Sequence, residues 1–139
     1  MFLTLEDFRR SIRERHLLAI IDNELPLLDA AIDDAVAEMQ PYLRPVYDVA
    51  SIFAAEGENR DRFLVNIAMD IAIWKLLSRV QPNQIPQLRQ DQFDLAMERL
   101  DKISKGQLPL GLPRAPRESG DARSLGRAQR YFPGSPNSY

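Results

Sequence analysis

Between Phe63 and Val80 the chain is apolar on almost every side of a helix. Phe63, Leu64, Ile67, Ile71, Trp74 and Leu77 recur at three- and four-residue spacing. Val65, Met69, Ile73 and Leu76 make the opposite side apolar too. A helix of this kind must be wrapped by other helices or by partners. Asn66, Asp70, Lys75, Ser78 and Arg79 interrupt the run. Charges inside an 18-residue stretch argue against a membrane span. The spacing therefore predicts a buried central helix over about 59–80.

The rest of the first 112 residues supplies the wrapping. Thr4 followed by Asp7 resembles a capping box, with Asp in place of Glu, and predicts a short helix over 5–11. Leu17, Leu18, Ile20 and Ile21 form a second short apolar turn, broken by Asp22 and Asn23. A long helix starts near Pro26, a residue tolerated in a first turn. Its stripe is Leu28, Ile32, Ala35, Val36, Met39 and Leu43, and Pro41 should kink or end it. Pro45 and Gly57 bracket a loop containing Tyr47 and Phe53. The last helix covers about 86–104, with Phe93, Ala96, Met97, Leu100 and Ile103 as its stripe and Gly106 at the C′ position. No alternating pattern is long enough for a sheet, although a short strand fits at 107–112. The fold class is all-α: a small bundle of about four to five helices.

Character changes at Pro113. Residues 113–139 carry four prolines, three glycines and five arginines, with Tyr131, Phe132 and Tyr139 near the end. Such a segment has too little to bury to offset its own ordering entropy. The organisation is thus a helical body, 1–112, and an extended arm, 113–139. The body holds 13 Lys/Arg against 18 Asp/Glu, a net of −5, and the arm 5 Arg against 2 acids, a net of +3. An acidic body argues against a reader of duplex DNA, which needs a basic face. A basic arm on an acidic body suits docking between subunits. The expected arm contacts are Arg114, Arg117, Arg123, Arg127, Arg130, Tyr131, Phe132 and Tyr139. The acids facing them would be Asp29, Asp33, Asp34 and Glu38.

Candidate chemistry is sparse. There is no cysteine, so thiolate metal sites and a Cys nucleophile are excluded. His16 is the only histidine. Glu14 and Asp22 are near it in sequence, but no nucleophile is marked, so packing is the simpler reading. Asp29, Asp33 and Asp34 carry oxygen ligands, yet the spacing of a calcium loop is missing and acids in early helical turns also face water. No phosphate-binding glycine loop occurs. The expectation is no catalytic residue, no metal and no cofactor. Asp70 stands out because a buried carboxylate must be paired. It either meets a neighbouring subunit or pairs within the chain with an arginine such as Arg44 or Arg99. Trp74 is either core or an interface anchor. The N-terminus, MFLTLEDFRR, lacks the layout of a signal peptide.

The stretches FLTLEDFRR, AAIDDAVAEMQPYLRPVYDV, NRDRFLVNIAMDIAIWKLLSR and DLAMERLDKISKGQLPLGLP resemble the Mu-like prophage family of small helical proteins. More distantly they resemble head–tail connector proteins of tailed phages, also called adaptor or head-completion proteins. The marks are the helix ending in YLRPVYDV, the apolar helix carrying IAIW, and the close of the last helix. Pro45 sits where family members more often have Gly or Arg, and the arm has no matching counterpart. The resemblance implies a non-enzymatic homo-oligomer, commonly a twelve-subunit ring under the portal protein. Such a ring joins the DNA-filled head to a tail-completion or tail-terminator protein. DNA would pass through it without sequence-specific binding, and no membrane would be involved. The implied location is the head–tail interface of the virion, after assembly in the host bacterial cytoplasm. The alternative is a small helical nucleic-acid-binding accessory or regulatory protein, which a basic recognition helix would support.

With four apolar stripes and no thiolate or histidine cluster, folding should not need a metal. Circular dichroism is expected to show a mostly helical protein whose spectrum is unchanged by a chelator; a large loss of helicity on chelation would contradict this.

Overall fold

The computed structural model describes residues 2–13, Leu17, Ala19, Ile21 and residues 24–115 of the 139. Among the described residues, helices span Leu5–Ser11 (α1), Leu25–Leu43 (α2), Val49–Ala54 (α3), Arg62–Val80 (α4) and Gln87–Ser104 (α5), with a 3₁₀ turn at Gly57–Asn59. The protein is all-α, as its periodicity predicts. The three long helices pack on one another, and α3 sits against α2. Asp34 pairs with Arg79 and Glu38 with Lys75, so α2 and α4 run antiparallel.

The central helix is α4. Ten of its side chains are buried, among them Leu64, Ile67, Ile71, Ile73, Leu76 and Leu77. Each fully buried Leu or Ile contributes about 1.5–3 kcal/mol of transfer free energy. The buried positions of α2 are Leu28, Ala31, Ile32, Ala35, Met39 and Leu43, and those of α5 are Ala96, Leu100 and Ile103. Leu17 and Ile21 are buried as well, so the second apolar turn does reach the core.

Local chemistry sets the helix ends. Thr4 and Asp7 form the capping box, each side chain accepting a backbone N–H of the other. Asp61 caps α4 by accepting from Leu64 N–H at 2.9 Å, which starts that helix slightly later than its apolar pattern suggests. Helix α2 runs through Pro41 and ends two residues later. A proline there removes only one donor from the final turn, so it does not end the helix at once. Gly106 has φ 75°, and Gln107 N–H reaches Lys102 O while Gly106 N–H reaches Ile103 O. This is the Schellman closure expected of a C′ glycine.

Two features differ from the sequence reading. The loop predicted around Tyr47 and Phe53 contains α3, a six-residue helix capped by Asp48. It is too short for periodicity to reveal. The extended segment also lies later than 107–112. Asp48 N–H bonds Pro113 O at 2.9 Å and Ala115 N–H bonds Val46 O at 3.0 Å, forming a single antiparallel bridge between Tyr47 and Arg114.

Arg60 ties the N-terminus to this body. Its guanidinium donates to both Asp7 carboxylate oxygens, at 2.6 and 3.1 Å, and to Phe2 O at 2.7 Å, while its Nε donates to Gly57 O at 2.8 Å. Both charged side chains are nearly buried, 12% and 5% exposed. Burial pushes the Asp7 carboxyl up, but hydrogen bonds from Arg60 and Thr4 and the Arg60 charge outweigh it and hold it below 3.8. Removing one member of such a pair strands the other. Asp7→Ala should therefore cost about 3–5 kcal/mol of stability by urea unfolding at pH 7. Because the folded carboxyl is more acidic than the unfolded one, this contribution is complete above pH 3.8 and is lost as pH falls through the lowered value. The gap between parent and variant should close on acidification; a gap independent of pH would refute the ion-pair account.

Candidate interaction surfaces

Asn66, Asp70 and Trp74 recur every four residues on α4 and share its less buried face. Trp74 is half-buried. Its ring stacks on Phe93 of α5, with centroids 4.2 Å apart and planes 19° off parallel. Its indole N–H donates to Gln90 Oε1 at 2.9 Å, and the Gln90 amide donates onward to Asp94 at 3.0 Å. Trp74 therefore belongs to the α4–α5 seam. Nearer the start of α4, Arg99 of α5 lies over the Phe63 ring, 5.4 Å from its centroid.

Asp70 has no hydrogen bond or ion pair among the described residues. The arginines facing it electrostatically are Arg89 and Arg99, both on α5. Arg44, the other arginine that the sequence offers, bonds Gln40 instead. Burial raises the Asp70 carboxyl above its ordinary value, and the attraction of Arg89 and Arg99 offsets this only in part.

The acids of α2 do not form one free face. Asp34 is held by Arg79 at 3.2 Å and Glu38 by Lys75 at 2.9 Å. Asp29 and Asp33 lie on the exposed side with no cation partner among the described residues. Beside Asp33 is a shallow pocket of about 270 Å³, lined by Phe2, Ile32, Val36, Ala37, Gln40 and Phe53. Phe2 and Phe53 meet edge to face at its floor, 4.9 Å between centroids. A second, open cleft of about 790 Å³ is lined mainly by polar residues, including the Asp7–Arg60 pair, Arg10, Glu58, Arg62 and Asn66. Among the described residues no group of three or more His, Cys, Asp or Glu is placed to hold a metal ion.

Of the expected arm contacts, only Arg114 is described. It lies over the buried Tyr47 ring, 5.6 Å from the centroid, and so belongs to the body. Tyr47 Oη accepts from Leu110 N–H at 2.7 Å and donates to Leu110 O at 3.2 Å. Arg117, Arg123, Arg127, Arg130, Tyr131, Phe132 and Tyr139 lie outside the described residues, as does His16. Two features escaped the sequence reading: the role of Arg60 and the pocket at Phe2 and Phe53. Both join residues about fifty positions apart, and no local pattern marks them.

The sequence matches the family described as Bacteriophage Mu, Gp36, over residues 2–126. The chain belongs to that family. It is a phage protein with an all-α body, and no described helix is long and apolar enough to cross a membrane. No match was found among curated proteins or among solved structures.

The raised Asp70 carboxyl implies that its charged form is held at a cost above its folded pKa. Asp70→Asn should leave the melting temperature at pH 7 unchanged or higher. Any advantage should vanish as pH falls and the parent carboxyl takes up its proton. A fall of several degrees at pH 7 would mean that attraction to Arg89 and Arg99 outweighs burial.

Proposed function

We propose that this chain is a structural subunit of the head–tail connector of a tailed phage or prophage, acting without catalysis. In this reading identical subunits close into a ring, of twelve by resemblance to connector proteins, between the portal protein and a tail-completion or tail-terminator protein. The observation that carries the reading is the union of a phage-family helical body with a basic, aromatic-ended segment leaving it from a fixed root. That root is the bridge between Tyr47 and Arg114. A closed ring needs only modest contacts per subunit, because each bond formed raises the effective concentration for the next. The body is acidic and the segment beyond the root is basic, so unlike charges steer copies together.

Deleting the gene from its phage or prophage is expected to leave DNA-filled heads and free tails that purified protein can join in vitro. Protein truncated after Ala115 should keep its helical spectrum but join them poorly. Normal virions without the protein would refute the proposal.

A further inference from the structure

We propose that the pocket formed by Phe2, Ile32, Val36, Ala37 and Phe53, with Asp33 at its rim, receives the Arg130–Tyr131–Phe132 segment of a second copy of this chain. The inference rests on the subunit role proposed above and names the surface that would serve it.

Three observations select this surface and this occupant. Five of the seven side chains lining the pocket are apolar, Asp33 and Gln40 being the others, and its volume is about 270 Å³. That is room for one aromatic ring, since a cavity of about 150 Å³ holds benzene. Interfaces draw most of their affinity from such buried aromatic anchors. Charge is the second. Asp29 and Asp33, one helical turn apart, have no cation partner among the described residues, whereas Asp34 and Glu38 on the same helix are paired to Arg79 and Lys75. Of these two acids, Asp33 lines the pocket itself and Asp29 lies one turn before it on the same helix. The segment that ends in aromatics carries Arg127 and Arg130 just before them. An arginine on Asp33 would set the following ring over the pocket.

Reach is the third. Sixteen residues lie from Ala115 to Tyr131, and a chain of that length spans up to about 55 Å when extended. The pocket at Val36 is only ten residues of helix and turn back from the root at Val46, roughly 15 Å at the helical rise. The connection is several times longer than its own body requires, long enough to reach a second copy.

The test uses the full-length protein, with its self-association measured by sedimentation velocity and residues 116–139 followed by limited proteolysis. Ala37 is exposed, so Ala37→Trp fills the pocket mouth without touching the core. Ala37→Trp, Asp29→Asn/Asp33→Asn and Tyr131→Ala/Phe132→Ala should each weaken self-association at least tenfold and speed cleavage after Arg123 to Arg130, with helical content unchanged. Reversing the charges together, Asp33→Arg with Arg130→Asp, should restore part of what either change alone removes. Suppose truncation after Ala115 abolishes association while the pocket variants leave it intact. The arm then docks elsewhere, and the pocket assignment fails while the subunit role stands. If truncation itself leaves association unchanged, the role of the arm fails too. Loss of arm protection in the pocket variants with the mass unchanged would place the segment on its own body and overturn the second copy as its source.

Discussion

One guanidinium holds together parts of the chain that the helices alone would leave apart. Arg60 bonds the Phe2 carbonyl, both oxygens of Asp7 and the Gly57 carbonyl. Those bonds fix the entry of α1, its capping residue and the 3₁₀ turn that leads into α4. An arginine suits this place because its planar fork makes several bonds at once and stays charged throughout. The effect extends beyond the pair. Phe2 is carried into contact with Phe53, and these two rings form the floor of the pocket on α2. The shape of that pocket is therefore set in part by an ion pair that does not line it.

The long helices were legible because their patterns repeat. The all-round apolar character of 63–80 could only mean a central position, and α4 takes it. The capping box at Thr4 and Asp7 and the C′ glycine at 106 were legible for the same reason: each rests on a rule spanning only a few residues. What could not be read depends on separation in sequence. The sequence marks Asp7 as a cap, and it is one, but nothing in MFLTLEDFRR shows that Arg60 claims the same carboxylate. The sequence around Tyr47 reads as a loop, while its partner Leu110 lies 63 residues away. Helix α3 escaped because six residues show less than two turns of any period.

The α2 acids show how a correct composition argument can mislead about a surface. Asp29, Asp33, Asp34 and Glu38 look like one charged face. Consecutive residues on a helix are about 100° apart. Asp34 and Glu38 therefore turn towards Arg79 and Lys75 on α4, and Asp29 and Asp33 turn away. Two carboxylates act within the bundle and two remain outside. Asp70 presents the converse case. It lies in the most apolar helix, where a direct partner would be expected, yet among the described residues it meets only the fields of Arg89 and Arg99.

The bridge at the root of the arm has a mechanical meaning. Asp48 to Pro113 and Ala115 to Val46 are two parallel tethers between antiparallel segments. Tension along the strand direction loads both bonds in shear. Tension across it peels the Ala115 bond first and the Pro113 bond afterwards. Behind them stand the Tyr47 hydroxyl on Leu110 and the closed end of α5 at Gly106, so a pull that passes the bridge next meets the core. The fold thus gives the arm a strong axis and a weak one. The load that such a joint can bear is set by the angle at which the chain is pulled at Ala115.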